Sequence, residues 1–193
     1  LSHLKEKGFT RFLLAAHYLA DRFQGFLSAY GHEMDLQLIV EPDPLGTGGA
    51  VRHAADFVRS STFLVVNGDS WVSQSLVPVV AQHEQMDREF TAVAVEAAQV
   101  EGAKHPKGVW RLGPQGRVAG FDAEGEISSR GWVNAGIYLV ERAFAASWPT
   151  GAYSLEANFS SLLKDRRAGI FCSQGRLLDM GTPETYRWIQ SGM

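Results

Sequence analysis

The sequence predicts an α/β fold: a Rossmann-like, mostly parallel mixed sheet flanked by helices. Short and almost wholly apolar runs, typical of strands buried on both faces, occupy 10–16, 35–40 and 62–67. Predicted helices follow them through 19–30, 50–55 and 76–86, and the first of these has apolar residues every three or four positions. Regular alternation of strands and helices is characteristic of sheets with largely parallel strands.

After residue 90 the pattern favours strands. They are predicted at 90–98 and 133–140, with 108–112 and 117–121 flanking the hairpin signal Gly113-Pro114-Gln115-Gly116 between them. The last third predicts a helix over 154–164, two short strands, and a final helix from Pro183 with Thr182 as its N-cap. Because no linker, repeat or low-complexity tract is found, we predict one domain over 1–193, with parts of about 1–100 and 101–193.

The chain opens inside a predicted helix that ends near Gly8. Because α/β domains seldom begin with the end of a helix, we expect a preceding βα unit of roughly 30 residues. The alternative is that this helix begins the protein.

Composition excludes several classes of protein. With 193 residues, 45% of them hydrophobic, the chain is long and apolar enough to bury a core, which argues against disorder. A net charge of −3 argues against a nucleic-acid binder, and no apolar stretch is long enough to span a bilayer. The single cysteine, Cys172, excludes an internal disulfide and fits a reducing compartment, so we expect a cytoplasmic protein.

Two acidic residues occupy informative places at the ends of predicted strands. Asp69 follows the run 62–67, and Asp179 precedes the final helix; each lies close to a glycine. The carboxyl ends of strands form the ligand crevice of open α/β sheets, and carboxylates are typical Mg²⁺ ligands. A single aspartate at such a place is more often a helix cap or turn former, but two together favour a shared metal site.

A glycine-rich stretch, Leu45-Gly46-Thr47-Gly48-Gly49-Ala50, joins a predicted strand to a predicted helix. Exposed backbone N–H groups at a helix N-terminus favour anionic or polar ligands. The stretch is not a dinucleotide fingerprint, because Val51 stands where that pattern needs glycine or alanine, and no Walker A loop occurs. It is either a ligand-contacting loop or only a tight turn.

Taken together, the motifs of the chain resemble those of the sugar-1-phosphate nucleotidyltransferases. Within that family they look most like D-glycero-D-manno-heptose 1-phosphate and mannose-1-phosphate guanylyltransferases. The resemblance runs along the whole chain and is carried by Glu41-Pro42-Asp43-Pro44-Leu45-Gly46-Thr47-Gly48-Gly49-Ala50, Val66-Asn67-Gly68-Asp69, Trp132-Val133-Asn134-Ala135-Gly136-Ile137-Tyr138, Ser154-Leu155-Glu156 and Asp179-Met180-Gly181-Thr182-Pro183-Glu184.

The resemblance implies the nucleotide-diphospho-sugar transferase fold, with a nucleotide-binding part over about 1–100 and a sugar-binding part over about 101–193. It implies that a nucleoside triphosphate and a sugar 1-phosphate give a nucleotide sugar and pyrophosphate, with Mg²⁺ as the cofactor. It also implies a role for individual residues: metal and catalysis for Asp69 and Asp179; the nucleotide for Glu41, Gly46, Thr47 and Gly48; and the sugar for Asn67, Gly108, Asn134 and Glu156.

Two departures from the family pattern are evident. The N-terminal glycine-rich loop with an arginine and a following lysine, which wraps the triphosphate, is missing, so residues 1–193 alone are expected to be inactive. The Glu-Lys pair that often follows the phenylalanine matched by Phe121 is also missing. Its contact with the sugar phosphate is then either lost or supplied by Lys104, Lys107 or Arg130.

The sequence gives less information on which nucleobase and which sugar the protein binds. A carboxylate at Glu41 could accept the adjacent N1–H and N2–H of guanine, whereas uracil offers only one N–H, so GTP is favoured over UTP. The alternative is that Glu41 merely faces solvent. Heptose, mannose and N-acetylmuramic acid phosphates remain open as acceptors, as does homo-oligomerisation. Heptose and mannose nucleotides would place the protein in lipopolysaccharide or capsule biosynthesis.

Two other functions remain alternatives. The first is a non-catalytic, sugar-nucleotide-binding regulatory subunit, which the missing triphosphate loop favours. The second is a glycosyltransferase of similar fold. Such enzymes usually carry an Asp-x-Asp motif, and Asp69-Ser70-Trp71 lacks the second aspartate.

Overall fold

The structure is a computed structural model that describes residues 1–101, 108–123, 131–164 and 166–190. Within these ranges the helices are α1 Ser2–Glu6, α2 Phe23–Tyr30, α3 Gly46–Ala55, α4 Val77–Gln85, α5 Arg142–Ala146, α6 Leu155–Leu162 and α7 Pro183–Gln190. The strands are β1 Arg11–Ala16, β2 Asp35–Val40, β3 Thr62–Val66, β4 Ser70–Val72, β5 Phe90–Glu96, β6 Val100–Glu101, β7 Val109–Leu112, β8 Val118–Asp122, β9 Trp132–Glu141, β10 Ala168–Ser173 and β11 Leu177–Asp179.

The predicted strands and helices are found, with three corrections. Helix α5, Arg142–Ala146, was not predicted. Strands β4 and β6 were not predicted, because two or three residues are too few to show an apolar pattern. Helix α3 begins at Gly46, so the glycines predicted to form a loop before residue 50 lie in its first turn. The predicted cap of the last helix is confirmed, since the Thr185 amide donates to Thr182 Oγ1 at 3.2 Å.

The described chain forms two compact units. The first unit combines Leu1–Ser61 with Arg142–Asn158, and the second combines Thr62–Glu141 with the described residues from Phe159 onward. Both units are therefore built from separate stretches of sequence. The predicted single domain, with a nucleotide-binding part before residue 100 and a sugar-binding part after it, stays a prediction.

In the first unit, β1 and β2 pair in parallel from Arg11–Asp35 to Ala16–Val40. Helix α2 packs against β2, and helix α3 packs against β1 and α5. Phe12 is the one buried residue of β1, so this strand is less buried than its apolar sequence predicts.

In the second unit, strand β9 is the centre of a mixed sheet in which β10, β5, β9, β7 and β8 lie side by side. Strand β9 runs antiparallel to β3, β5 and β7, whereas β5 and β10 are parallel. A second sheet places β11 between β4 and β6. The expected parallel pairing holds for β1–β2, β5–β10 and β6–β11. The pairs around β9 and the pairs β4–β11 and β7–β8 are antiparallel, so the sheets of the second unit are mixed. Strands joined without a crossover helix, as β7 and β8 are, pair antiparallel.

Aromatic side chains form the core of the second unit. Neighbouring rings in this cluster have centroids 4.5 to 5.7 Å apart, within the range of favourable aromatic contacts. The members are Phe90, Trp110, Phe121, Tyr138 and Phe159. Among the described residues, no helix combines the length and the apolar character that crossing a membrane requires.

Candidate functional site

The carboxylates of Asp69 and Asp179 both lie beside Gly181 in the second unit. Asp179 is the last residue of β11, where it lies opposite Ser70 of the antiparallel strand β4, and Asp69 immediately precedes that strand. A Cβ placed on Gly181 would lie 2.9 Å from Asp179 Oδ1 and 3.1 Å from Asp69 Oδ2. Because glycine has no Cβ, the space between the two carboxylates is left open.

Each carboxylate of this acidic pair accepts a hydrogen bond. The Gly181 amide donates to Asp179 Oδ1 at 2.8 Å, and the Ser70 hydroxyl donates to Asp69 Oδ1 at 3.2 Å. The Met180 amide donates to the backbone carbonyl of Asp69 at 2.7 Å, which ties the two segments together beside the acids. Asp179 is only 8% exposed. The pairing of β4 with β11 therefore brings together two residues that lie far apart in the sequence.

The donor set of this pair suits a hard divalent cation. Carboxylate oxygens are ligands that Mg²⁺ prefers, and Mg²⁺ is usually held by one or two carboxylates while it keeps waters and substrate phosphates as further ligands. Within the described ranges, no group of three or more His, Cys, Asp or Glu side chains is placed to bind a metal. Two carboxylates beside one open space fit a cation that keeps waters or substrate oxygens as its further ligands.

The residues predicted to contact the sugar in the second unit are contiguous. The backbone N–H of Asn67 donates to the carbonyl of Gly136 at 2.9 Å, and the backbone N–H of Asn134 donates to the carbonyl of Gly108 at 3.0 Å. Gly136 has a φ of +67°, and a Cβ there would lie 2.6 Å from Asn67 Nδ2. The structure therefore places Asn67, Gly136, Asn134 and Gly108 in one connected group.

Within this group, Asn134 is fully buried. Its Nδ2 donates to Tyr138 Oη at 2.7 Å, and its Oδ1 accepts from Trp110 Nε1 at 3.2 Å and from the Gly136 amide at 3.4 Å. Its predicted role as a sugar ligand stays a prediction.

In the first unit, the glycine-rich turn is held by a segment far along the chain. The Gly48 amide donates to the Tyr153 carbonyl at 3.0 Å, and the Tyr153 amide donates to the Leu45 carbonyl at 2.9 Å. Gly46 has a φ of +66°, and a Cβ there would lie 2.6 Å from the Tyr153 carbonyl oxygen. Both the conformation and the close backbone approach require glycine at this position.

Tyr153 was not identified from the sequence. Its ring lies where a Cβ on Gly48 would stand, and its hydroxyl is buried without a hydrogen-bond partner among the described residues. Burial raises the pKa of this phenol, and the nearby Arg52 opposes that shift. No sequence signal marks Tyr153, because its contacts are with residues about a hundred positions earlier.

Thr47 and Glu156, predicted to act on different substrates, touch in the first unit. Thr47 Oγ1 donates to Glu156 Oε2 at 2.6 Å and accepts from the Leu155 amide at 2.8 Å. Ser154 Oγ donates to the same carboxylate oxygen at 3.1 Å.

Glu41 lies just before this turn and is only 8% exposed. Its Oε2 accepts from the Leu45 amide at 3.0 Å, so the carboxylate supports the chain entering helix α3. The alternative that Glu41 simply faces solvent is wrong. Lys104, Lys107 and Arg130, considered for the sugar phosphate, lie outside the described residues.

Comparisons with known proteins identify the family of the chain. The family model described as nucleotidyl transferase matches residues 1–191. The chain is 24% identical over 191 residues to the D-glycero-alpha-D-manno-heptose 1-phosphate guanylyltransferase of Aneurinibacillus thermoaerophilus, covering 97% of this chain and 80% of that protein. It is 28% identical over 193 residues to the mannose-1-phosphate guanylyltransferase of Mycobacterium tuberculosis, covering 96% of this chain and 52% of that protein.

Among solved structures, HddC from Yersinia pseudotuberculosis is similar with a TM-score of 0.80 and 24% identity, over 96% of this chain and 80% of that chain. The same protein complexed with GMP-PN gives a TM-score of 0.78 and 22% identity, over 97% of this chain and 80% of that chain. These similarities show the fold, which is that of the nucleotide-diphospho-sugar transferases, as predicted.

The chain belongs to the nucleotidyl transferase family. It is therefore placed among enzymes that transfer a nucleotidyl group, and the resemblance to sugar-1-phosphate nucleotidyltransferases is confirmed. Nucleotidyltransferases of this family generally use a divalent metal ion.

Proposed function

We propose that the protein transfers GMP from GTP to a heptose or mannose 1-phosphate, giving a GDP-sugar and pyrophosphate in the cytoplasm. The observation that carries the proposal is the convergence of Asp69 and Asp179 on the open space at Gly181. The names of the similar proteins, which are heptose and mannose 1-phosphate guanylyltransferases, support the choice of substrates.

The chemistry needs position and charge neutralisation more than a protein nucleophile. An oxygen of the sugar phosphate attacks the α-phosphorus of GTP in line, a new P–O bond forms, and the bond to the β-phosphate breaks to release pyrophosphate. Asp69 and Asp179 would hold Mg²⁺, which when bound offsets the repulsion between the two phosphates. The hydrogen bonds from Ser70 and Gly181 keep each carboxylate oriented for this task.

The other residues are proposed to bind and orient the substrates. The turn around Gly46, Thr47 and Gly48 would meet the nucleobase through its backbone, and Glu41 would accept the two N–H donors of guanine. The sugar would be contacted by Asn67, Gly108, Asn134 and Glu156. The hydrogen bond from Leu45 to Glu41 orients the carboxylate in advance, which favours selective binding.

The test measures pyrophosphate release in the presence of Mg²⁺. Each of GTP and UTP is paired with heptose, mannose or N-acetylmuramate 1-phosphate. The intact mass of the same sample shows which length of the protein is assayed. From a protein that carries the triphosphate loop in addition to residues 1–193, we expect release with GTP and one of the first two sugars. We expect Asp69→Asn and Asp179→Asn to lose most of it, by a factor of about 100 or more.

The matched control is Glu84→Gln, which removes an exposed carboxylate from helix α4 of the same unit. Near-normal turnover of Asp69→Asn would contradict the metal assignment. Absence of release from the complete wild-type protein would contradict the catalytic proposal and favour a regulatory subunit.

A further inference from the structure

The hydroxyl of Thr47 is occupied by hydrogen bonds inside the protein. A threonine hydroxyl has one proton to donate, and that of Thr47 goes to Glu156 Oε2 at 2.6 Å. The same oxygen accepts the Leu155 amide at 2.8 Å. A hydroxyl used in this way is not available to donate to a nucleobase. Its geometry serves the carboxylate of Glu156 instead.

The bond between Thr47 and Glu156 is of the strong kind. Hydrogen bonds from a hydroxyl to an ionised carboxylate are short and roughly twice as strong as those between neutral groups. Ser154 Oγ donates to the same oxygen, but at 3.1 Å, and it also accepts the Ala157 amide at 3.2 Å as the cap of helix α6. Thr47 is therefore the closer of the two hydroxyls that orient Glu156.

Backbone hydrogen bonds around this contact hold the two residues in place. Two backbone hydrogen bonds hold Tyr153 against the turn: the Gly48 amide donates to the Tyr153 carbonyl at 3.0 Å, and the Tyr153 amide donates to the Leu45 carbonyl at 2.9 Å. These bonds to Tyr153 fix the position of the first turn of helix α3. Thr47 in its first turn holds a set distance from Glu156 in the first turn of α6. A change in the position of the glycine-rich turn would be passed to the carboxylate through this bond.

We propose that Thr47 is a positioning residue for the acceptor sugar: its hydroxyl orients the Glu156 carboxylate. This inference rests on the proposed function, in which Glu156 binds a sugar hydroxyl.

The test compares Thr47→Val, which keeps the shape of the side chain and removes the hydroxyl, with Thr47→Ser, which keeps the hydroxyl. We expect Thr47→Val to raise KM for the sugar 1-phosphate about tenfold, while KM for GTP changes less than about twofold. Thr47→Ser should restore the wild-type KM. Thr10→Val, which removes an exposed hydroxyl elsewhere in the first unit, is the matched control.

A double-variant cycle separates positioning from direct contact. In a Glu156→Gln background, Thr47→Val should add little to KM for the sugar, because the group that it positions is already changed. Full additivity of the two effects would contradict the proposal, as would an equal rise of KM for GTP and for the sugar in Thr47→Val alone. Thermal unfolding of each variant shows whether it folds, and Thr47→Ala replaces the valine variant if that one does not.

Failure of the proposed function gives a different result. If the wild-type protein releases no pyrophosphate, calorimetric titration with mannose 1-phosphate and heptose 1-phosphate decides the matter. Binding that is weakened in Thr47→Val and normal in Thr47→Ser would support the positioning role without turnover. Absence of sugar 1-phosphate binding by the wild-type protein would overturn both proposals.

Discussion

The ring of Tyr153 occupies the space that a side chain on Gly48 would fill. Gly48 lies in the first turn of helix α3 and is buried. A methyl group at this position would overlap the ring, so either the ring or the helix start must move. We expect Gly48→Ala to lower the free energy of unfolding by about 1–3 kcal/mol, the usual cost of overpacking, measured by urea denaturation.

The control for this prediction is Gly25→Ala in helix α2 of the same unit. A Cβ on Gly25 meets nothing within 4 Å. Alanine there should stabilise the protein by about 0.5–1 kcal/mol, because glycine is a poor residue inside a helix. Adding Tyr153→Ala to Gly48→Ala should recover part of the loss caused by the methyl group. Equal stability of Gly48→Ala and wild type would show that the ring can move aside freely.

The glycine-rich turn shows where local sequence patterns stop being sufficient. Four successive positions with three glycines predict a loop, because glycine has a low helix propensity. The structure instead begins helix α3 at Gly46, where contacts with Tyr153 override that propensity. Those contacts join residues about a hundred positions apart, and no local pattern encodes them. The strands around them were predicted because an apolar run is a local property.

The acidic pair shows a different limit. The position of Asp69 and Asp179 at strand ends was readable from the sequence, but their convergence depends on the pairing of β4 with β11. Each of these strands has only three residues, too few to show a pattern. The contact of Thr47 with Glu156 was not predicted, and it joins residues assigned to separate parts of the chain.

Gly181 provides a direct test of the metal site that does not depend on turnover. A Cβ there would stand 2.9 Å from Asp179 Oδ1 and 3.1 Å from Asp69 Oδ2. We expect Gly181→Ala to weaken Mn²⁺ binding at least about tenfold, measured by electron paramagnetic resonance of the free ion. Gly68→Ala is the control beside Asp69, because a Cβ on Gly68 meets nothing within 4 Å. Identical Mn²⁺ titrations of wild type and Gly181→Ala would count against a cation between these carboxylates.

His83 makes the stability of the second unit depend on pH. Burial, with a smaller effect of the Arg88 charge, lowers the pKa of His83 from 6.5 to about 4 in the folded protein. Its Nδ1 lies 2.9 Å from Thr91 Oγ1, and its Nε2 has no partner among the described residues. The unfolded chain therefore binds a proton between these pH values that the folded protein does not bind.

The contribution of His83 to the free energy of unfolding is therefore constant above pH 6.5. Below that value the free energy of unfolding decreases as pH falls towards 4. The loss should approach about 1.4 kcal/mol per pH unit within this interval. Urea denaturation across the interval should show a shallower dependence in His83→Gln than in wild type. Parallel profiles for the two proteins would mean that His83 titrates alike in the folded and unfolded states.

Glu41→Gln separates the two roles of Glu41. A glutamine keeps a side-chain oxygen that can accept the Leu45 amide, so the support for helix α3 is preserved. It loses the carboxylate that would accept both N–H groups of guanine. We expect kcat/KM for GTP to fall about 10- to 100-fold, as for the loss of a hydrogen bond to a charged group, with little change for UTP.

Glu41→Ala should in addition lower the free energy of unfolding by about 1 kcal/mol, because the Leu45 amide loses its acceptor. If Glu41→Gln keeps its preference for GTP over UTP, the carboxylate supports the turn and does not read the base.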